Sequence, residues 1–342
     1  MKKKLWLLFN ISISVVFIWM ALRGIDFNEL SHSFRGIVFS YAIAAVLFNL
    51  FSCWLRAVRL HYMTLPIQRV KIMNYFASVM IGFMVNNILP FRLGELMRGY
   101  ALKKSDGMSF SVSMGIIVVE RIIDVMSLLI IFGVLTFFYP FPEWVKSGGL
   151  LVTVVVVIVI AVLVMMIQRT EVTLRMFYKI IAVVSKEAAQ GSNRLLTSFL
   201  TGVRFLHDFK NYVWISLMTF LIWTMFTVSI FSMFYSMNLQ SEGLGMFEAG
   251  VFMVFTCFAI MIPAAPGYVG TFHEIAKQSL LLFGIDKEKA LGFAIIVHAL
   301  NYISITGVGF VYFLRSNLQL KQALSNSVED RSNLDTASEL IN

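Results

Sequence analysis

An apolar run from Ser109 to Tyr139 carries Glu120, Arg121 and Asp124 in its interior, and the segment before it places Arg92, Glu95 and Arg98 just after Pro90. On a helix, Glu120 and Asp124 share a face, Arg121 stands three before Asp124 on an adjoining one, and Glu95 and Arg98 form a second pair three apart. A charge at the centre of a bilayer costs about 2.5–3.5 kcal/mol even on insertion scales, so such groups must face a cavity or one another. Two chemistries fit. Arg92 or Arg98 can neutralise Glu120 or Asp124 and so allow their burial. Alternatively, Arg92 and Arg98, together with helix N-termini freed after Pro90–Gly94 and Pro266–Gly270, suit a phosphate group.

The second half has the same punctuation. Pro266-Gly267-Tyr268-Val269-Gly270-Thr271, with Glu274 one turn on, interrupts an apolar run as Pro90-Phe91-Arg92-Leu93-Gly94-Glu95 does in the first half. Matching Pro/Gly breaks in the two halves of a membrane chain point to a binding site, because broken helices leave dipole ends free within the bilayer. The candidate head-group site is therefore Arg92, Gly94, Glu95, Arg98, Glu120, Arg121 and Asp124 from the first half. Pro266, Gly267, Tyr268, Gly270, Thr271 and Glu274 complete it from the second, where His273, Lys277, His298, Asn301 and Tyr302 add polar groups nearby.

Enzyme signals are poor. His273-Glu274-Ile275-Ala276-Lys277 begins like a helical zinc motif, but Lys277 replaces the second histidine. No nucleotide-binding loop, cysteine pair or elbow serine is present, so no metal, cofactor or catalytic residue is expected; an intramembrane hydrolase built on Glu120, Asp124 and His298 stands as an alternative. Cys53 and Cys257 lie in apolar runs and read as buried thiols.

The elements that position these groups follow from composition. With 58% hydrophobic and only 14% charged residues and a mean hydropathy of +0.80, the chain is expected to be an all-α integral membrane protein, since soluble domains carry about 25% charge. The start, Met1-Lys2-Lys3-Lys4 followed by Leu5 to Leu22, reads as a first anchor: its apolar part is long for a signal peptide, and no small-x-small cleavage site precedes Arg23.

Charge bias orients the spans. Lys2–Lys4 place the N-terminus inside, Arg23–Arg35 is an outside loop, and a return span of about Val38 to Leu60 ends in the inside charges Arg56, Arg59, Arg69 and Lys71. If Ile72–Leu89 crossed once, Arg98, Lys103, Lys104 and the basic segment 169–210 would fall outside; a hairpin turning at Pro90 keeps them inside and is preferred. Ser109–Tyr139 and Gly148–Gln168 then cross, and 169–210 is either a helix lying on the inner leaflet or a solvated connector. Asn211–Met237 crosses outward, Phe247–Ile262 and Thr271–Phe283 form a second hairpin around Pro263–Gly270, Asp286–Lys289 is an outer loop, and Ala290–Leu314 returns. The expected fold is a polytopic helical bundle of two inverted repeats, with about six full crossings and two re-entrant hairpins. Residues 1–314 form its transmembrane domain and 315–342 a cytoplasmic, disordered polar tail. The match of Gly115–Glu120 with Phe293–His298 extends the repeat weakly.

Asn86-Asn87-Ile88-Leu89-Pro90-Phe91-Arg92-Leu93-Gly94-Glu95 with Arg98, Glu120-Arg121-Ile122-Ile123-Asp124 and Pro263-Ala264-Ala265-Pro266-Gly267-Tyr268-Val269-Gly270-Thr271 resemble the lysylphosphatidylglycerol synthase transmembrane family of flippase-like proteins, over about Leu5 to Leu314. The resemblance implies a translocator of an anionic or phosphate-bearing lipid, a phospholipid or polyprenyl phosphate, in the cell membrane with both termini cytoplasmic, as in a bacterial inner membrane. It does not imply lysyl transfer, which in the namesake enzymes belongs to a separate soluble domain for which this sequence leaves no room. Two alternatives stand beside it: a non-transporting membrane partner of a glycosyltransferase or lipid-linked glycan pathway, and an intramembrane lipid-modifying enzyme. No nucleic-acid partner is expected, and neither energy source nor oligomeric state is legible.

Overall fold

The computed structural model describes residue 12 and residues 15–89, 92–168, 209–261 and 266–316. The Lys2–Lys4 start, Pro90, Phe91, Pro263 to Ala265, the connector up to residue 208 and the tail from residue 317 lie outside the described residues. Every regular element among the described residues is helical. After a helical stretch at residues 15–22 come α1 (Phe27–His32), α2 (Phe39–Thr64), α3 (Ile72–Ile88), α4 (Gly94–Asp106), α5 (Phe110–Phe138) and α6 (Glu143–Gln168). The second half contains α7 (Phe209–Ser236), α8 (Met246–Met261), α9 (Thr271–Leu281) and α10 (Lys287–Arg315), with single 3-10 turns at Leu239–Glu242 and Pro266–Tyr268.

The helix ends follow local chemistry. Leu89, preceding Pro90, is extended at φ −104° and ψ 144°, and Tyr139, preceding Pro140, at φ −140° and ψ 128°, as steric conflict with the next proline ring requires. α4 stops at Gly107, whose left-handed φ of +69° closes the helix. Two expected loops are partly helical. The Arg23–Arg35 loop contains α1, capped by the Asp26 carboxylate accepting from Asn28 N at 2.8 Å. The Asp286–Lys289 loop is the N-cap and first turn of α10, where buried Glu288 Oε1 accepts from Asp26 N at 3.2 Å.

Phe39–Thr64, Asn211–Ser236 and Lys287–Arg315 are each long and apolar enough to cross a membrane. α5, at 29 residues, spans about 43 Å and is equally long, but holds Glu120, Arg121 and Asp124. Large apolar side chains point outward from the bundle, Phe137 at 88% exposure and Phe39 at 73% among them, a pattern that suits surrounding hydrocarbon and not water. This is a multi-pass helical membrane protein.

α2 and α7 pack antiparallel along their lengths: Val38 N donates to Ser236 O at 2.9 Å at one end, and the Tyr62 and Trp214 rings stack with centroids 5.4 Å apart at the other. α3 and α4 form one hairpin, and α8 and α9 another. α3 packs on α2 and α10, and α8 packs on α7 and α5. The open end of the first hairpin, where Asn74 Nδ2 donates to Asp106 Oδ1 at 2.9 Å, adjoins the start of α5. The open end of the second, with Phe247 and Phe283 rings 6.5 Å apart, adjoins Tyr139 at the end of α5. The hairpins therefore open at opposite ends of α5. The largest apolar core lies around the second hairpin, where Phe234, Phe252 and Phe293 are buried together.

The limbs of the first hairpin approach at two glycines. A Cβ on Gly94 would lie 2.0 Å from Gly82 O, so only hydrogen fits at the crossing. Gly94→Ala is expected to force the limbs apart and destabilise by about 1–3 kcal/mol. Gly133→Ala, which meets nothing within 4 Å, is expected to be neutral or stabilising by up to about 1 kcal/mol. Thermal unfolding of the two variants in detergent checks this, and equal melting temperatures would remove the close crossing as a determinant of the fold.

Candidate functional site

Three helices bring six charged side chains together. α2 contributes Arg56 and Arg59, one turn apart on one face; α4 contributes Arg98; α5 contributes Glu120, Arg121 and Asp124. Arg56 Nη1 and Arg59 Nη2 each lie 2.7 Å from an Asp124 oxygen, on opposite sides of that carboxylate. Arg98 Nη2 lies 2.6 Å from Glu120 Oε2, while Arg121 Nη2 reaches Glu120 Oε1 at 2.8 Å and Asp124 Oδ2 at 3.2 Å. Arg59 Nη2 is 3.4 Å from Glu120 Oε1, and its Nη1 donates to Thr219 Oγ1 on α7 at 3.1 Å. Glu120 and Arg59 are wholly buried. A carboxylate there is tolerated because guanidinium forks occupy its oxygens, and each single partner removed would leave a charge stranded in low dielectric.

The two breaks meet beside this network. Asn86, near the end of α3, accepts from Gly94 N at 2.8 Å through Oδ1 and so occupies one of the N–H groups expected to be free; its Nδ2 donates to Glu95 at 3.3 Å. Arg92, with a left-handed φ of +50°, crosses to the other hairpin, donates to Ile260 O through Nη2, and holds its guanidinium carbon 5.8 Å from the Tyr268 ring centroid. Tyr268 is itself left-handed at φ +59°. Beside it Gly267, at φ +71°, has its oxygen accepting from His298 Nε2 at 2.7 Å, and a Cβ there would lie 2.9 Å from the Tyr302 ring.

Between the hairpins lies a cavity of about 430 Å³, within the usual range of about 300–1,000 Å³ for small-molecule sites. Arg56, Arg92, Glu95, Arg121 and Asp124 line its charged side; Asn49, Asn86, Asn87 and Asn301 add amides. Ser52, Tyr268, His298 and Tyr302 also line it, and Phe83, Val125, Leu128, Phe226, Ile260 and Met261 add apolar surface, with Trp223 under the Arg56 guanidinium at 5.4 Å.

The sequence-predicted residues divide accordingly. Arg92, Glu95, Arg121, Asp124 and Tyr268 line the cavity. Gly94, Arg98 and Glu120 stand behind it as support, and Pro266, Gly267, Gly270 and Thr271 shape the second break, Thr271 Oγ1 donating to Tyr268 O at 3.1 Å. Two expectations need correction. Arg92 does not pair with Glu120 or Asp124; it bonds the opposite hairpin, whereas Arg98 pairs with Glu120. Glu274 turns away from the cavity into an ion pair with Lys277 at 2.7 Å, and Lys277 also donates to Met20 O at 3.0 Å, securing the end of the N-terminal helical stretch. Sequence reasoning missed Arg56 and Arg59 as site residues by assigning them to an inner membrane face, although their spacing within an apolar helix was the available signal. Among the described residues, no group of three or more His, Cys, Asp or Glu side chains is placed to hold a metal ion.

The sequence model of the lysylphosphatidylglycerol synthase TM region matches residues 7–309, and the chain belongs to that family. It is also similar to UPF0104 membrane protein MJ1078 of Methanocaldococcus jannaschii, with 26% identity over 239 residues, 67% of this chain and 92% of that protein. No solved structure matches the chain.

The geometry predicts which charges are coupled. Arg98→Met and Glu120→Gln are each expected to destabilise by about 3–5 kcal/mol, and the double variant by clearly less than their sum. Arg92→Gln and Glu120→Gln are expected to add within about 0.5 kcal/mol. Denaturant or thermal unfolding of both cycles measures this; coupling in the Arg92 cycle with additivity in the Arg98 cycle would reverse the assignment.

Proposed function

From this family membership and the shape of the cavity, we propose that the protein is a lipid translocator that passes an anionic, phosphate-bearing head group between membrane leaflets. The observation that carries the proposal is a single amphipathic cavity at the meeting point of both helix breaks. Arginines and amides line it together with hydrocarbon side chains, a mixture that suits a lipid head group and the start of its acyl chains. The acyl chains remain in the bilayer while the head group traverses the interior. The carboxylates favour anion binding over acid–base chemistry, since Glu120 lies outside the cavity lining and both carboxylates are held by guanidinium groups.

The bundle is read as two inverted repeats with re-entrant hairpins in the cell membrane, both termini cytoplasmic. Several observations support this. Pro90, Arg92 and Gly94 correspond to Pro266, Tyr268 and Gly270 at one constant offset along the chain, and the counterparts Arg92 and Tyr268 are both left-handed and touch each other. The counterpart helices α2 and α7 run antiparallel, so a two-fold relating them lies across their axes and, in a membrane, within its plane. The limbs α4 and α9, of 13 and 11 residues, reach only about 20 and 17 Å, short of a hydrocarbon core of about 30 Å.

In proteoliposomes holding equal amounts of folded protein, the wild type is expected to accelerate movement of labelled phospholipid or polyprenyl phosphate to the far leaflet. Arg92→Gln and Arg121→Gln are expected to slow it at least about tenfold, through lost charge-assisted donors to phosphate. No acceleration over empty vesicles for a broad lipid panel would favour a non-transporting partner of a lipid-modifying or glycosyltransferase enzyme. A chemically altered lipid would favour an enzyme.

Orientation is tested separately. Cysteine labelling in intact cells is expected to find Lys103 on the cytoplasmic side and Lys287 outside; labelling of Lys103 from outside would exclude hairpins that enter from opposite faces.

A further inference from the structure

We infer that the head group taken by this cavity carries two negative charges on its phosphate, as a phosphomonoester or diphosphate does, and not the single charge of a phosphodiester. The inference rests on the lipid-binding reading above and specifies its substrate class. Arg56, Arg59, Arg92, Arg98 and Arg121 stand in and directly behind the cavity wall, against Glu95, Glu120 and Asp124. The excess is two positive charges. Lys277 does not enlarge it, because Glu274 neutralises that lysine outside the cavity lining.

An uncompensated cation inside a membrane protein is unfavourable, and a counter-charge is best supplied by a ligand that reaches the same groups. The donors are available. Arg56 spends Nη1 on Asp124 and Arg121 spends Nη2 on Glu120 and Asp124, while Arg56 Nη2 and Arg121 Nη1 have no hydrogen-bond partner among the described residues. Arg121 Nε is buried with no hydrogen-bond partner among the described residues. Two arginines sharing one Asp124 oxygen and lining one cavity form a fork for a tetrahedral oxyanion, and Arg92 lines the same cavity. A head group bearing a net positive charge, as a phosphodiester esterified with lysine does, would meet like charge here.

The test is binding to the full chain in detergent at pH 8 and about 0.15 M salt, by calorimetry. The probes are dioctanoyl phosphatidate, its singly charged methyl ester dioctanoyl phosphatidylmethanol, dioctanoyl phosphatidylcholine, and inorganic phosphate. A phosphomonoester has its second pKa near 6, so phosphatidate is dianionic under these conditions. Phosphatidate is expected to bind at least about tenfold tighter than phosphatidylmethanol, with phosphatidylcholine weakest, because one added charge in a partly desolvated site outweighs one methyl group. It is also expected to bind at least about tenfold tighter than inorganic phosphate, since only the lipid fills the apolar wall.

Arg56→Gln lowers the excess to one and is expected to narrow the phosphatidate preference to about threefold or less. Glu95→Gln raises it to three and is expected to widen the preference about threefold or more; Glu95 belongs to no ion pair within 4.0 Å among the described residues, so this variant reports even where Arg56→Gln does not fold. Equal affinity for phosphatidate and phosphatidylmethanol, or a Glu95→Gln preference that stays the same or narrows, overturns the inference while leaving lipid binding intact. If neither lipid binds and inorganic phosphate does, the lipid reading itself falls and the inference with it.

Discussion

Asp124 is the point on which the polar interior depends. Its two oxygens hold Arg56 and Arg59 of α2 on opposite sides, and Arg121 and Arg59 carry the connection on to Glu120, whose far oxygen fixes Arg98 of the first hairpin. α2, α4 and α5 are thus tied through carboxylates that would be intolerable unpaired in this environment. The network also has a direction. Because arginines outnumber carboxylates, it cannot neutralise itself, and Arg56 and Arg121 present the residual charge to the cavity.

The second half solves the same geometric problem without buried excess charge. Where the first hairpin places Arg98 against Glu120, the second places Phe272 and His273 against His298, and its ion pair Glu274–Lys277 is local and neutral. The second break contributes shape and carbonyl groups: Ile260 O takes Arg92, and Gly267 O takes His298. An apolar core around Phe234, Phe252 and Phe293 holds that hairpin, whereas close glycine contacts and ion pairs hold the first. The two hairpins are therefore held by different forces, and the arginines that line the cavity, Arg56, Arg92 and Arg121, all come from the first half of the chain.

Much of this was legible in the residues. Hydrophobic run length together with proline and glycine marked α2, α3, α5, α7, α8 and α10 to within a few residues, because hydrocarbon solvent imposes long helices and Leu89 or Tyr139 cannot remain helical before proline. Clustering of Glu120, Arg121 and Asp124 with Arg98 was legible because buried charges must find partners. Arg56 and Arg59 were not recognised as part of the cluster because a charge-bias argument counts arginines near span ends without knowing which face they occupy. The Arg92 contact was invisible for another reason: its acceptor is a backbone carbonyl 168 positions away, and a carbonyl has no sequence signature. Glu274 was misplaced by analogy with Glu95, although Lys277 three residues on offered the simpler local partner.

The geometry bears on how a charged head group can cross hydrocarbon. For an isolated phosphate the barrier is the full low-dielectric thickness of about 30 Å. On the re-entrant reading proposed above, two hairpins that open at opposite ends of α5 with the cavity between them would divide that distance. At the junction, two left-handed residues, Arg92 and Tyr268, occupy backbone conformations that cost on the order of 1–3 kcal/mol each. Their mutual contact and the Arg92 bond to Ile260 O hold the tips together. A phosphate oxygen is a stronger acceptor for a guanidinium than a neutral carbonyl, so on the lipid-binding proposal a head group in the cavity would compete with Ile260 O for the Arg92 guanidinium.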